Sequence, residues 1–554
     1  MSAVFPSTAP RRFAASSPRA IGVEALALLS SLFFTLVSNG AAWRLALGDR
    51  SWADPATWRF AIGVGVALTA FQFILLAVIL TKRTARVVLS VLFVATALAS
   101  HFMVTYGVFL DASMLRNVLR TDVREARELL TVSLLPPLAL QALAPLLLLW
   151  CAPFTLADRS WTRALAWRAA SIAIAAAAFV VALFAVFQDA AALVRNHREV
   201  RHLVAPSNYL HAVAQVVAGD ARTVARRQEP LGTDAVLGPS WSQRTKPALF
   251  VLIVGETARA ANRGLDGYAR QTTPELARID GLLNFPDVQS CGTNTETSLP
   301  CMFSPWGRHD YDESRIRSHE SLMHVLSHAG FRVLWRDNQS GCKGVCAGLS
   351  SERLEGLDEH LLDGLDRIVE DTHGNRVLVL HQLGSHGPAY ASRYTAAFAR
   401  FQPACRSAEL RECTQAEIVN AYDNSLLYTD HVVASAIRFV QAQQGAYDTA
   451  LLYVSDHGES LGEHNVYLHG LPRAIAPREQ TQVPMVAWLS PGFARSAALD
   501  MECLRARAQQ PASHDHLFHT VLGLLDVRTR VYDGAFDLSA GCRGHIETPP
   551  ATAP

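Results

Sequence analysis

Five long apolar runs, all before residue 189, constrain this chain more than any other feature. They extend from Ile21 to Ala42, Phe60 to Leu80, Val87 to Leu110, Leu129 to Ala157 and Ala169 to Gln188. An α-helix needs ~20 mostly apolar residues to cross the hydrocarbon core of a bilayer. Five such runs in so short a length exceed what a soluble core can hold, so each is expected to be a transmembrane helix. A cleaved signal peptide does not fit the first run, which is long and is followed by four more. The fourth run contains Pro136, Pro137 and Pro145 and is expected to kink or to begin late.

Basic residues in the short connections set the orientation. Arg11, Arg12 and Arg19 precede the first run. Lys82, Arg83 and Arg86 lie between the second and third, and Arg159, Arg163 and Arg168 between the fourth and fifth. These three clusters belong on the cytoplasmic side. The remaining loops balance their charges: Asp49, Arg50 and Asp54 in one; Arg116, Arg120, Arg124 and Arg127 with Asp111, Asp122, Glu125 and Glu128 in the other. Both fit the outer side. Five passes with the N-terminus inside then place residues 189–554 outside the cytoplasm.

The cysteines agree with that compartment. Eight of the nine lie beyond the apolar runs, and Cys151 ends the fourth run. Close sequence pairs are Cys291 with Cys301, Cys342 with Cys346, and Cys405 with Cys413, leaving Cys503 and Cys542. An even count in an oxidising compartment reads as a disulfide set whose connectivity stays open. Thiolate zinc binding is disfavoured because no Cys-x-x-Cys spacing occurs. The net charge of +1 gives no basic field for nucleic acid.

From residue 248 the chain alternates short β-rich runs with helical patterns. The runs are ALFVLIV (248–254), FRVLW (331–335), RVLVLHQ (376–382), TALLYVS (449–455) and VPMVAWL (483–489). Continuous apolar strands separated by helices predict a largely parallel sheet covered on both faces. In such sheets active groups gather beyond the carboxyl ends of strands. Glu256 follows the first run, His386 the third, and Asp456, His457 and Glu459 the fourth. Together they suggest a metal site with oxygen and nitrogen ligands. A Ser/Thr-rich segment, SCGTNTETSLPCMFS (290–304), offers a hydroxyl nucleophile at a helix start, where unpaired N–H groups favour phosphate. His319, His324 and His328 read as a solvated helical face, and His514, His516 and His519 as a helix start without a ligand role.

At CGTNTETSLPCMFS (291–304), WRDNQSGCKGVC (335–346), HQLGSHGPAY (381–390), NAYDNSLLYTD (420–430) and LLYVSDHGESLGEHNVYLHGLP (451–472) the sequence resembles the lipid A phosphoethanolamine transferases, including the mobile colistin-resistance enzymes. DASMLRNVLRTDVREARELL (111–130) is similar to that family's loop between the third and fourth spans. The resemblance covers nearly the whole chain. It implies five transmembrane helices (1–188), a linker helix and loop (189–245) and a periplasmic α/β/α domain of the alkaline phosphatase/sulfatase type (246–554). It implies a monomer in the bacterial inner membrane.

By the same resemblance Thr295 is the nucleophile and completes a zinc shell with Glu256, Asp456 and His457. His386 and His469 lie near the transferred phosphate and hold a second zinc in some relatives. Lys343, Ser340 and Gln339 match the substrate-headgroup region, although Gln339 departs from the Asn of some relatives. Asn117, Thr121 and Glu125 match loop positions for the lipid substrate. The implied reaction moves phosphoethanolamine from phosphatidylethanolamine to a lipid A phosphate through a phosphoethanolamine-threonine intermediate, with polymyxin resistance as the phenotype. Relatives that modify Kdo, heptose or glucan share the core motifs, and glycerol-phosphate transferases and phosphodiesterases share the superfamily. A sulfatase would carry x-Pro-x-Arg after its nucleophile, whereas Thr295 is followed by Glu296, Thr297 and Ser298.

Overall fold

A computed structural model gives the fold and describes residues 19–544 apart from 49, 122, 153, 158–159, 224–227 and 371–373. Arg11, Arg12, Asp49, Asp122 and Arg159, and the side chains of Arg124 and Glu125, therefore lie outside the described residues. The chain forms two compact units. One comprises residues 1–101 and 135–207, the other 102–134 and 208–554.

Among the described residues four helices are long and apolar enough to cross a membrane, and two of them, Ala85–Tyr106 and Val132–Cys151, extend past the boundaries of the first unit. The remaining two are Pro55–Ile79 and Trp161–Ala185, which pack against each other. The first apolar run forms a bent pair, Val23–Ser38 and Gly40–Leu47, turned by 60°. Asn39 sits at the bend and explains how it survives without water. Its buried amide donates to the Phe34 and Ala205 carbonyls at 2.9 and 2.8 Å, and its Oδ1 accepts the Ala205 N–H at 2.8 Å. Backbone groups freed by a break in an apolar medium need such partners. The proline-bearing run begins at Val132 and widens to a π-turn over Ala139–Leu143, just before Pro145 removes a backbone donor.

The second unit is built on an eight-stranded sheet. In chain order its strands are β1 (Ala248–Gly255), β2 (Leu283–Gln289), β3 (Arg332–Asp337), β4 (Ser350–Arg353), β5 (Arg376–His381), β6 (Asp448–Ser455), β7 (Gln482–Leu489) and β8 (Ala512–Ser513). The order across the sheet is β8-β2-β7-β6-β1-β5-β3-β4. The strands from β6 to β4 are parallel; β7 runs antiparallel to both of its neighbours. All five β-rich runs of the sequence form strands. The three strands not marked by such runs lie at or near the edges. One of them, β2, contains Pro286, which cannot donate to a ladder. It pairs with β7 where the register shifts between Val483 and Met485, so Pro286 and Pro484 both fall at the irregularity.

Every residue of β1, β5, β6 and β7 is buried. Two apolar cores cover the two faces. One is centred on Phe250, Phe303, Trp335 and Phe518; the other packs Val433, Ile437 and Val440 of the long helix Gln415–Ala442 against Leu249, Val251 and Ile253. The three close cysteine pairs, 291–301, 342–346 and 405–413, are disulfides, and the remaining two cysteines form the fourth, 503–542. Cys151 is free and exposed.

One local expectation is corrected. His324 is buried, not solvated. Its Nδ1 closes the capping box with Ser321 at the start of Leu322–His328, and its Nε2 bonds the Ala347 carbonyl at 2.8 Å. His319 and His328 face acids, Glu229 and Glu320.

Candidate active site

Because β1, β5, β6 and β3 are parallel, their carboxyl ends open at one edge of the sheet. Glu256 leaves β1, Gln339 follows β3, His386 follows β5, and Asp456 and His457 leave β6. The ligand atoms of Glu256, Asp456 and His457 lie within 4.8 Å of one another, and all three residues are fully buried. Thr295 meets them from the first position of the helix Thr295–Met302. Its hydroxyl donates to Glu256 Oε2 at 2.9 Å and lies 3.4 Å from His457 Nε2.

Local sequence accounts for that placement. Asn294 caps the helix by accepting the Thr297 N–H at 2.9 Å, and the Cys291–Cys301 disulfide ties the entering turn to the helix body. Pro300 lies inside the helix and has no N–H for the Glu296 carbonyl four residues back, which instead accepts Arg317 Nη2 at 2.6 Å. Thr257, directly after Glu256, takes a left-handed backbone (φ 60°), unusual for a β-branched residue. Its N–H bonds Asp456 Oδ1 at 3.2 Å and its carbonyl accepts Tyr422 O–H at 2.8 Å, so the strain is held by the site's own framework. Gly384 (φ 55°) passes so close that a Cβ there would stand 2.4 Å from the Glu256 carbonyl.

The charges suit a cation. Burial pushes Asp456 up to about 7, with the neighbouring Glu256 charge adding to it. Burial also opposes ionisation of Glu256, but His457 beside it holds the carboxyl well below its usual range. His457 is drawn down by burial and drawn up further by Asp456 and Glu256, to about 10. A proton on His457 is thus what balances the buried carboxylates. Asp456 Oδ2 is buried without a hydrogen-bond partner, an orphan that a metal ligand would satisfy. His457 Nδ1 bonds the Gly458 carbonyl at 2.9 Å, which leaves Nε2 as the nitrogen for coordination. Two carboxylates, one imidazole and a hydroxyl are a donor set that fits zinc.

The other predicted residues gather around this group. Gln339 donates from Nε2 to Glu256 Oε2 and so touches the ligand cluster itself. The His469 ring lies tilted to that of His457 and edge-on to that of His386, with ring centres 4.5 and 5.2 Å apart. Its Nδ1 bonds Glu459 Oε2 at 2.9 Å, and Tyr390 O–H donates to the other oxygen of Glu459 at 2.8 Å. His386 Nδ1 is buried without a hydrogen-bond partner. Lys343, in a left-handed turn closed by the Cys342–Cys346 disulfide, donates to Ser340 Oγ at 2.6 Å.

Residues 102–134, which the sequence places between two spans, pack with this unit. Ser113 Oγ lies 2.8 Å from Thr297 Oγ1 and accepts Asn294 Nδ2 at 3.0 Å, docking the helix Ala112–Arg120 on the helix Thr295–Met302. Asn117 follows Ser113 by one four-residue step and shares its face; Thr121 donates to the Asn117 carbonyl at 2.7 Å. No hydrogen bond joins Asn117 or Thr121 to the ligand cluster among the described residues. The side chain of Glu125 lies outside them. Sequence reasoning passed over Glu296, whose buried carboxylate pairs with Arg120 and Arg317. Its position beside the candidate nucleophile, in the first turn of the helix that starts there, was the available signal.

Fold and site together are those of a sulfatase-type domain joined to apolar, membrane-spanning helices. Residues 248–527 match the Sulfatase family model, and residues 68–221 match that of "Phosphoethanolamine transferase EptA/EptB". The chain is 38% identical to phosphoethanolamine transferase EptA of Escherichia coli K12 over 461 residues, 81% of this chain and 84% of that protein. It is 36% identical to phosphatidylethanolamine transferase Mcr-1 of Escherichia coli, over 82% of this chain and 89% of that protein. The structure of the integral membrane lipooligosaccharide phosphoethanolamine transferase A from Neisseria meningitidis superimposes with a TM-score of 0.88 at 36% identity, covering 95% of this chain and 99% of that one. The chain belongs to the phosphoethanolamine transferase family.

Proposed function

We propose that this protein transfers phosphoethanolamine from phosphatidylethanolamine to a phosphate of lipid A, in the bacterial inner membrane with its second unit in the periplasm, and that Thr295 is the nucleophile. The observation that carries this reading is the Thr295 hydroxyl bonded to Glu256 within the Glu256–Asp456–His457 group. Support comes from the family, from the apolar helices that keep the enzyme at the bilayer holding both substrates, and from four disulfides suited to an oxidising compartment.

Glu256, Asp456, His457 and Thr295 would hold a zinc ion. When bound, zinc lowers the pKa of the threonine hydroxyl and neutralises charge on the phosphoryl oxygens. The chain's own groups do the rest. Glu256 Oε2 fixes the Thr295 hydroxyl in place, and Gln339 fixes that carboxylate in turn. Thr295 Oγ1 forms a bond to phosphorus as the bond to the diacylglycerol oxygen breaks. His469, oriented at Nδ1 by Glu459, or His386 gives that oxygen its proton. Lys343 with Ser340 binds the headgroup, and Asn117, Thr121 and Glu125 bind the lipid. A phosphoethanolamine-threonine remains, and an acceptor phosphate takes the group from it. Addition of a cationic amine to an anionic lipid weakens attraction for cationic peptides, so polymyxin resistance follows.

The test is Thr295→Ala in the full chain. Mass spectrometry of lipid A from cells making the variant should show no added phosphoethanolamine, and intact-protein mass should show no threonine adduct. Near-normal modification by that variant would refute the nucleophile. Fragment masses locating the group on Kdo, heptose or glucan would correct the acceptor.

A further inference from the structure

The helix Ala112–Arg120 comes from the segment that the sequence places between two spans, yet it lies against the start of the helix that carries Thr295. Asp111 caps it by accepting the Met114 N–H at 2.8 Å, which fixes its first turn. Ser113, Arg116 and Arg120 follow at steps of three and four and so share a face. Arg120 pairs with Glu296 and Arg116 with Glu313, and these ion pairs hold that face in place. Met114 is buried against Gly470, where a Cβ would stand 2.5 Å from the methionine methyl group. Gly470 in turn donates its N–H to the Thr293 carbonyl at 2.8 Å. The helix therefore braces both the turn that leads into Thr295 and the turn that follows His469.

Where the helices meet, three side chains close a ring of hydrogen bonds. Asn294 Nδ2 donates to Ser113 Oγ at 3.0 Å, and Asn294 Oδ1 accepts the Thr297 N–H at 2.9 Å. Ser113 Oγ and Thr297 Oγ1 share a hydrogen bond of 2.8 Å. Asn294 is 2% exposed, so water hardly competes for its amide. The Thr297 N–H decides which end of that amide faces the helix, and Ser113 holds the other end. Asn294 is the capping residue and Thr295 the next in the chain. The extended backbone of the cap (φ −153°, ψ 157°) sets the direction in which the helix, and with it the Thr295 side chain, departs. That direction has little slack, because Thr295 Oγ1 must stay 2.9 Å from Glu256 Oε2 and 3.4 Å from His457 Nε2.

We propose that Ser113 is a positioning residue for phosphoethanolamine transfer: its hydroxyl holds the Asn294 amide and thereby aims Thr295. Ser113 itself makes and breaks no covalent bond. The inference rests on Thr295 as the transferring residue and adds that a residue of the segment between two spans sets its aim.

The test uses the full chain in vesicles containing phosphatidylethanolamine and lipid A, and reads both the rate of transfer and the threonine adduct by intact-protein mass. Ser113→Ala should lower kcat ~10-fold, because a misaimed reactant loses rate. Its KM for phosphatidylethanolamine should stay within ~2-fold of the parent, since no substrate contact is removed. Ser113→Thr keeps the hydroxyl and should recover most of the rate. Thr297→Val removes another member of the ring without touching the segment between the spans. It should also lower kcat, and so covers the case in which Ser113→Ala does not fold. The double variant should be no slower than the slower single one, because both substitutions act on the same ring. A normal kcat in Ser113→Ala would overturn the proposal. So would a raised KM with unchanged kcat, which would mark a contact to the lipid, or a Ser113→Thr variant as slow as Ser113→Ala. Transfer persisting in Thr295→Ala would instead sink the nucleophile reading, whereas an inactive Thr295→Ala beside a fully active Ser113→Ala would sink this proposal alone.

Discussion

Thr295 Oγ1 and Glu256 Oε2 are joined by a 2.9 Å hydrogen bond that links a helix start to a strand end 39 residues earlier. The proposed nucleophile and a candidate metal ligand are thereby one unit. Glu256→Gln keeps the shape of the side chain but removes its charge. The variant is expected to lose zinc on gel filtration and to bind it at least ~10-fold more weakly in chelator competition, since ligand charge sets affinity. Equal zinc content in variant and parent would contradict the site.

Glu459 holds His469 Nδ1 with one oxygen and accepts the Tyr390 O–H with the other. Burial pushes its carboxyl up to about 8, so a neutral acceptor can stand in for it. Glu459→Gln should keep kcat within ~5-fold, whereas Glu459→Ala, which leaves His469 Nδ1 without its acceptor, should lose ~10–100-fold. Equal rates for the two variants would show that the bond does not orient the ring.

Asp337 and His381 form a buried pair behind the Gln339 turn, Oδ2 to Nδ1 at 2.7 Å. Burial raises the Asp337 carboxyl, but His381 and the hydrogen bonds outweigh it and bring it from 3.8 to about 2. Its stabilisation is complete above pH 3.8 and is lost as pH falls through about 2. Burial lowers His381, Asp337 raises it more, and the net shift is upward from 6.5, so its part is complete below pH 6.5 and is lost as pH rises through the higher folded value. The melting-temperature gap between the parent and Asp337→Asn should be widest between pH 3.8 and 6.5 and narrow on either side. A gap that stays constant with pH would rule out the linkage.

The disulfides close loops of very different length. Cys503–Cys542 spans 39 residues and Cys342–Cys346 spans 4. Loop-closure entropy then assigns about 4 kcal/mol to the first and about 2 kcal/mol to the second. Denaturant unfolding of the paired Cys→Ser variants should preserve that order. Loss of the short one should instead show in substrate KM, because it closes the turn that presents Lys343. A short-loop variant with the larger stability loss and normal KM would reverse the assignment.

Much of this was legible in the residues because the signals are local. Apolar length alone marks membrane spans, since a bilayer leaves backbone groups no other partners. Buried parallel strands read as continuous apolar runs, so β1, β3, β5, β6 and β7 were visible. The motifs after three of them named Glu256, His386, Asp456 and His457. The weaker strands β2, β4 and β8 were not visible, because their pairing is imposed by neighbours and not by their own composition.

What the sequence determined alone is the inventory: a membrane-spanning first part, a strand-and-helix second part, cysteines in pairs, and a threonine beside oxygen and nitrogen ligands. Tertiary structure decided which of these meet. Gln339 lies on Glu256, Asn39 carries the bend in the first span, His324 closes a helix cap, and Glu296 gathers Arg120, Arg317 and Lys343. Each joins segments distant in the chain, and no local spacing encodes such contacts. They follow from parallel strands delivering their ends to one edge and from buried charges having to find partners there.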